Sequence, residues 1–477
     1  MKILYVAAEA APFFKTGGLA DVAGSLPKAL NNLGLDCRVV LPMHSQLDDR
    51  YRAKLVKINE YYVHLGWKRE YCGVYELIYD GVTYYFLNND YYFRRDRLYG
   101  DYDDGERYIF FSRAAAMLPK MIKLDVDVIH SNDWHTGLVP VYVDDFRTGD
   151  PFYKDIRTLY SIHNLKYQGE YPLETFYWTN LPGQFLSDYD LKFYDSINLM
   201  KAGIVHANRV NTVSKTYAQE IRYPYFAEGL ELVTRAYAEK ISGILNGIDY
   251  QVWQTEDNPY LVRTYSPDKL EGRKANKAAL QKRYGLPVSD APIIAMISRL
   301  TAMKGLDLVS YILDELLQED IQFIVLGTGE LQYEDFFRQM AVKYPDKCSA
   351  RIYYSNEESH QLYSASDFLL MPSISEPCGL SQMIAMRYGS IPIVREVGGL
   401  RDSVKDYNPV TGRGEGFTFQ SVNAHDMLFS IKNGLLYYRE RPEEFARIQQ
   451  NAMRKNLDWS TSSLEYRDLY ESMLEDC

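Results

Sequence analysis

Cysteine is scarce in this chain, and what there is does not pair. The five are Cys37, Cys72, Cys348, Cys378 and Cys477, odd in number, widely spaced and without a Cys-x-x-Cys element. That excludes a disulfide framework or a thiolate zinc site and suits a reducing compartment, so a cytoplasmic location is expected. Long hydrophobic runs are missing too. No stretch of about 18 apolar residues occurs, and Ile3-Leu4-Tyr5-Val6-Ala7-Ala8 is too short for a signal sequence with its cleavage site, so no membrane partner is expected. Positive charge is in deficit: 53 Lys and Arg against 64 Asp and Glu leave −11, a field that repels nucleic acid and anionic lipid. An anionic ligand must then meet a local basic site. His-x-x-x-His and Cys/His clusters are absent, and the Asp-x-Asp string Asp125-Val126-Asp127 stands before its strand, the wrong end for a ligand, so no metal and no cofactor are expected. Low-complexity tracts and short-period repeats are also lacking. The 46% hydrophobic and 25% charged residues are the balance of a globular chain with a substantial core.

What is there is a repeating strand, loop and helix. Ile3 to Ala8, an amphipathic helix near Leu19 to Leu33, a stop at Gly34 and the strand Cys37 to Leu41 make a βαβ unit. Similar units follow at Val126 to Val143, Arg157 to His163 and Arg209 to Arg222, while Tyr51 to Tyr99 alternates in the manner of added antiparallel strands. A fresh series, Ile293 to Ser298, Gln322 to Leu326, Ala350 to Tyr354, Phe368 to Met371 and Ile391 to Val394, begins after Asn246-Gly247-Ile248-Asp249. The expected fold class is α/β, with two Rossmann-like doubly wound domains at 1–245 and 246–460 and a terminal helical segment at 461–477 that could return to the first. Ligands of such sheets sit at the carboxyl ends of the strands, and a cleft between the domains is the expected location.

Lys15-Thr16-Gly17-Gly18-Leu19 occupies the first βα turn, where glycines let backbone N–H groups approach an anion at a helix N-terminus and Lys15 adds a full charge. It is not a Walker A loop, because the lysine precedes the glycines. Arg299 and Lys304 bracket the loop after the first strand of the second series and together suit a diphosphate. Gly327-Thr328-Gly329 fits a structural turn equally well. Glu376, in Ser375-Glu376-Pro377-Cys378-Gly379-Leu380, precedes a helix, and Asp133 in His130-Ser131-Asn132-Asp133-Trp134-His135 and His163 in Ser161-Ile162-His163-Asn164 both follow strands. Each alone is an ordinary cap or turn residue; several converging from separate strand ends are what a site requires.

In order along the chain, Lys15 to Val22, His163-Asn164, Asn246 to Asp249, Arg299 with Lys304, and Glu376 to Leu380 resemble the bacterial glycogen synthase and plant starch synthase family, over nearly the whole length. The resemblance implies the two-domain GT-B arrangement, no catalytic metal, and transfer of glucose from ADP-glucose to the non-reducing 4-hydroxyl of an α-1,4-glucan with retention. It implies that Arg299 and Lys304 hold the donor diphosphate, with Lys15, Gly17 and Gly18 closing on it and Asp21 in the same motif. It implies that Tyr354 stacks on the nucleobase, that Asp133, His163, Asn246 and Glu376 surround the glucose with Cys378, Gly379 and Leu380 beside them, and that Gly398-Gly399 forms a second Gly-Gly loop near sugar and phosphates. Two positions depart: Ile384 stands where related Glu-x7-Glu enzymes carry a second carboxylate, and Asn132 stands where relatives often have histidine. Adenine and uracil donors are not distinguished by a stacking tyrosine. A catalytically silent glucan-binding scaffold is the competing reading, because tyrosines also stack on sugar rings, and a GT-B enzyme for another sugar nucleotide is a further one.

Overall fold

The structure, a computed structural model, describes residues 1–475; Asp476 and Cys477 lie outside the described residues. Met1–Gly247 together with the C-terminal helix Trp459–Glu475 form one unit, and Ile248–Asp458 form the other. The division falls two residues beyond the sequence-based boundary, so that Asn246 belongs to the first unit.

The first unit is built on a nine-stranded sheet. Its order is Ile241–Gly243, Arg209–Thr212, Arg157–Ile162, Val128–Asn132, Lys2–Val6, Asp36–Pro42, Val82–Asn88, Lys68–Tyr79 and Val56–Leu65. The first seven run parallel. The hairpins expected from Tyr51 to Tyr99 are present, but their last strand, Val82–Asn88, joins the sheet in parallel with Asp36–Pro42. Leu4 and Val6 enter one hydrophobic cluster, Ile3 and Tyr5 the other, which is why the first strand reads as an unbroken apolar run. Leu19, Val22, Ala23, Leu26 and Leu30 recur with helical spacing along Gly18–Asn32 and bury against the second cluster. Trp459, Tyr466, Tyr470 and Met473 of the terminal helix complete it, each side chain stabilising by about 2 kcal/mol on burial. Their hydroxyls are satisfied: His130 Nδ1 lies 2.7 Å from Tyr470 Oη, and Asn211 donates to Tyr466 Oη at 2.9 Å. A small antiparallel sheet, Glu170–Pro172, Ser196–Asn198 and Lys192–Phe193, lies outside the main one.

The second unit is an all-parallel six-stranded sheet in the order Cys348–Arg351, Gln322–Leu326, Ile293–Ile297, Phe368–Met371, Ile391–Arg395 and Phe417–Phe419. In each unit the first strand is flanked on one side by the second strand in sequence and on the other by a later one. The connections leave in opposite directions there, opening a crevice at the carboxyl ends. In the first unit it lies between Lys2–Val6 and Val128–Asn132, in the second between Ile293–Ile297 and Phe368–Met371. No helix among the described residues is long and apolar enough to cross a membrane.

Candidate active site

The loop leaving Lys2–Val6 carries the Lys15 to Gly18 motif to the start of the helix Gly18–Asn32, with Gly17 as an extended N-cap. Lys15 Nζ pairs with Asp21 Oδ1 at 2.7 Å, and burial holds the Asp21 carboxyl above its ordinary range against the pull of that lysine. On the far side of the crevice, Asp133 follows Val128–Asn132 with φ 56° and ψ −179°, a backbone shape that side-chain-bearing residues avoid at a cost of about 1–3 kcal/mol. Its Oδ1 accepts from the His163 amide at 2.7 Å, and its own amide donates to Ser161 O at 2.9 Å. Burial pushes the Asp133 carboxyl up to about 7, with the His163 and Asn164 amides pulling it back and nearby Glu9 adding to the rise. His163 Nε2 meets Asn132 Oδ1 at 2.9 Å, and burial lowers the imidazole to about 4, so the ring is neutral at pH 7. Asn132 is therefore not idle: its Oδ1 also accepts from Tyr5 Oη at 2.9 Å, and its amide donates to Val6 O at 3.0 Å, which ties the first strand to His163. Asn246 follows the edge strand Ile241–Gly243 and is buried, with an Oδ1 that has no hydrogen-bond partner among the described residues.

In the second unit Lys304 Nζ donates to Glu376 Oε2 at 2.6 Å across the crevice, and Ser373 Oγ donates to the same oxygen at 2.9 Å. Glu376 is buried and Lys304 only a fifth exposed. Arg299 is exposed on the same loop as Lys304. Backbone crowding explains the glycines. Gly305, at φ 70°, lies so close to Pro372 O that a side chain would collide, and Gly398, at φ 45°, is in the same position against Glu376 O. The Gly399 amide donates to the Glu376 and Pro377 carbonyls at 3.1 and 3.0 Å, which places the second Gly-Gly loop directly on the Glu376 loop beside the buried Cys378. Gly379 takes φ 71° and Leu380 caps the helix Ser381–Arg387, in which Ile384 is buried. Gly327 and Gly329 abut the Ser298 and Leu300 carbonyls, and Leu300 N donates to Thr328 O at 2.8 Å; this Gly-x-Gly is a loop-stacking turn. Tyr354 is 77% exposed, but three residues past its strand, which ends at Arg351. The chain leaves the sheet there as Tyr353 Oη bonds Glu358 and accepts from Arg351 Nε at 2.8 Å.

Within each unit the crevice thus gathers the expected residues: Lys15, Gly17, Gly18, Asp21, Asp133 and His163 in one, Arg299, Lys304, Glu376, Cys378, Gly379, Leu380, Gly398 and Gly399 in the other. Sequence reasoning missed Glu9, buried next to the Lys15 loop, and the aromatic stack of His135 between Trp134 and Tyr99, with ring centroids 4.0 and 4.4 Å apart. An isolated acid inside the apolar run Ile3 to Phe14 was the available signal for Glu9. The Asp125-x-Asp127 pair binds Lys2, whose amide donates to Asp127 Oδ2 at 2.7 Å. Among the described residues one carboxylate group, Asp101, Asp103 and Asp104, is close enough together for a metal ion. Three arginines already face it, Arg95 on Asp103 at 2.7 Å, Arg107 on Asp104 and on Asp101 at 3.0 Å, and Arg97 on Asp101 at 3.5 Å.

Residues 2–236 match the family model described as the starch synthase catalytic domain, and residues 279–453 match that of glycosyl transferases group 1. The chain is 50% identical over 476 residues to a glycogen synthase of Finegoldia magna, covering all of both chains. It is 47% identical to one of Geobacillus thermodenitrificans, covering all of this chain and 98% of that one. The catalytic domain of starch synthase IV from Arabidopsis thaliana, solved bound to ADP and acarbose, superposes with a TM-score of 0.91 at 31% identity and 99% coverage of each chain. Two Rossmann-like units, each with a polar crevice at its switch point, and these matches define a glycosyltransferase of the GT-B fold. Identity of this order over the full length goes further. The chain belongs to the glycogen synthase family.

Proposed function

We propose that the chain transfers glucose from ADP-glucose to the non-reducing 4-hydroxyl of an α-1,4-glucan, with retention, and that the two crevices supply the groups that act on one donor. The carrying observation is the Lys304–Glu376 pair at the switch point of the second unit, seated on the Gly398-Gly399 backbone. Lys304 and Arg299 hold the diphosphate, Lys15 and the Gly17 and Gly18 amides act on it from the first unit, and Tyr354 stacks on the nucleobase. Asp133, His163, Asn246 and Glu376 surround the glucose, with Cys378, Gly379, Leu380 and Gly399 shaping its wall. As the C1–O bond to phosphate breaks, positive charge grows on the sugar and negative charge on the diphosphate. Fixed cations stabilise the second, and the Asp133 and Glu376 carboxylates the first, more in the transition state than in the ground state. The acceptor O4 forms the new bond to C1 on the face the phosphate leaves, and its proton passes to the departing phosphate oxygen. Glu376 holds the Lys304 ammonium in place before the donor arrives, so little reorganisation accompanies reaction.

The ADP and acarbose carried by the starch synthase structure support a nucleoside diphosphate and a glucan as ligands of this fold. The four described cysteines are buried and none is in a disulfide, which suits the cytoplasm. The test is turnover of ADP-glucose and UDP-glucose with glycogen as acceptor. Nucleoside diphosphate release that requires glycogen and favours ADP-glucose is expected; release without glycogen, or none from either donor, would overturn the reading.

A further inference from the structure

We propose that Glu9 is a positioning residue that sets the Lys15-Thr16-Gly17-Gly18 loop for the donor diphosphate, an inference that rests on the function proposed above. Lys15, Thr16 and Gly18 are exposed, and a loop of this composition has no core of its own to hold it. Glu9 supplies an anchor from below. It is 3% exposed, and its Oε2 accepts from both the Thr16 amide, at 2.5 Å, and the Thr16 hydroxyl, at 2.8 Å. Its Oε1 lies about where contact with a Gly17 side chain would begin, 4.0 Å from a Cβ built there. Further back, the chain is held by the buried Phe13 and Phe14 side chains and by the backbone: Phe14 N donates to Ala10 O at 3.1 Å and Ala11 N to Ala20 O at 2.9 Å. Between Phe14 and the helix, Lys15 pairs with Asp21 through its side chain, while the main chain itself is tied by the Thr16 amide bond to Glu9, and that bond sets where the Gly17 and Gly18 amides point.

A buried carboxylate is an expensive anchor, and its surroundings show why it is not an inert one. Lys15 and Asp21 face it from the loop and helix, Asp133 from across the crevice, and Tyr99 and Tyr108 from the segment packed above. Burial raises the Glu9 carboxyl to about 7, with the Thr16 bonds and Lys15 pulling it down and Asp21 adding to the rise. Bonds to an ionised acceptor are stronger than to its neutral form, so the grip on Thr16 loosens as Glu9 gains its proton below that pH.

The experiment compares Glu9→Gln, Thr16→Val, their double variant, Thr16→Ser and Lys15→Ala, measuring kcat/KM for ADP-glucose, KM for glycogen and the pH profile. Glu9→Gln and Thr16→Val should each lower donor kcat/KM about tenfold with the glycogen KM unchanged, and the double variant should be no worse than either. Thr16→Ser, which keeps the hydroxyl, should restore wild-type values. The decline of donor kcat/KM toward low pH should be shallower in Glu9→Gln than in the wild type. Additive losses in the double variant, or a changed glycogen KM with an unchanged donor term, would overturn the assignment. If Glu9→Gln does not fold, Glu9→Asp, whose shorter side chain draws the carboxylate away from both the Thr16 amide and hydroxyl, decides: donor kinetics equal to the wild type refute the anchor. Lys15→Ala separates the two levels, since unaffected donor kinetics there would refute the loop as a donor site, whereas a loss there alone refutes only the role of Glu9.

Discussion

Removing the Lys304 ammonium perturbs two quantities that the structure lets us separate. The pair with Glu376 spans 2.6 Å, with the lysine side chain 19% and the glutamate 8% exposed. Deleting one partner of a fully buried ion pair costs about 3–5 kcal/mol, because the other charge is left uncompensated. Here Ser373 Oγ still donates to Glu376 at 2.9 Å, and Lys304 is not fully desolvated, so about 2 kcal/mol of stability is expected to be lost in Lys304→Met. In the proposed role, catalysis would also lose a fixed cation at the leaving group, about 3 kcal/mol or roughly a hundredfold in turnover. Adding Glu376→Gln removes the stranded charge, so the double variant should recover most of the stability and none of the turnover. Urea unfolding followed by circular dichroism reads the first quantity, and glycogen-dependent ADP release at saturating ADP-glucose the second. Turnover of Lys304→Met within threefold of the wild type, with the fold intact, would refute the placement of this lysine at the leaving group.

Three further outcomes follow. Tyr354→Ala should raise the KM for ADP-glucose about tenfold with kcat nearly unchanged, since in the proposed role the exposed ring would bind the nucleobase equally in ground and transition states; steady-state kinetics with a fall confined to kcat would contradict it. Gly398→Ala should abolish turnover and lower the melting temperature, because the new Cβ collides with Glu376 O at a backbone φ of 45°; a wild-type-like thermal melt would show that the loop has room to move. The Asp133 carboxyl, raised from 3.8 to about 7 in the folded chain, favours the folded state fully below about pH 4 and loses that contribution as pH rises through 7, a difference of up to about 4 kcal/mol. Asp133→Asn should therefore gain on the wild type in denaturant midpoint between pH 5 and 8, and a constant gap across that range would rule out the raised carboxyl.

The central strands were the legible part of the fold. Gln322–Leu326 and Phe368–Met371 are covered on both faces and so read as uninterrupted apolar runs with sharp ends. Three-residue strands such as Ile241–Gly243 and Phe417–Phe419 are too short to show a period. The edge strand Cys348–Arg351 begins two residues before the expected Ala350 and ends before Tyr354, because Tyr353 and Tyr354 extend the aromatic run in sequence while the chain has already turned away. The parallel pairing of Val82–Asn88 with Asp36–Pro42 was hidden as well, since an alternating strand does not declare its partner. In the second crevice, Lys304 and Glu376 could each be picked out from their loops, but their bond joins residues 72 positions apart and belongs to the tertiary fold. Glu9 was passed over for the same reason: as a lone acid in an apolar run it is indistinguishable from a turn residue until Thr16 is seen to lie on it.

The two crevices solve the same backbone problem in opposite ways. In the second unit, loops stack main chain against main chain through Gly305, Gly327, Gly398 and Gly399, so the strained or crowded positions carry no side chain and the polar groups sit on neighbouring residues. In the first unit the strained position is Asp133 itself, at φ 56° and ψ −179°, where a glycine would sit without penalty. Fold stability alone would favour glycine there. The aspartate persists in a conformation that its own side chain makes costly, fixed by the Ser161 carbonyl and the His163 amide, and the only thing it adds over glycine is a carboxyl group at the carboxyl end of the strand. Strain at that residue is thus independent of any resemblance and agrees with the role proposed for Asp133 beside the sugar: a carboxyl group held in a fixed position at the carboxyl end of the strand.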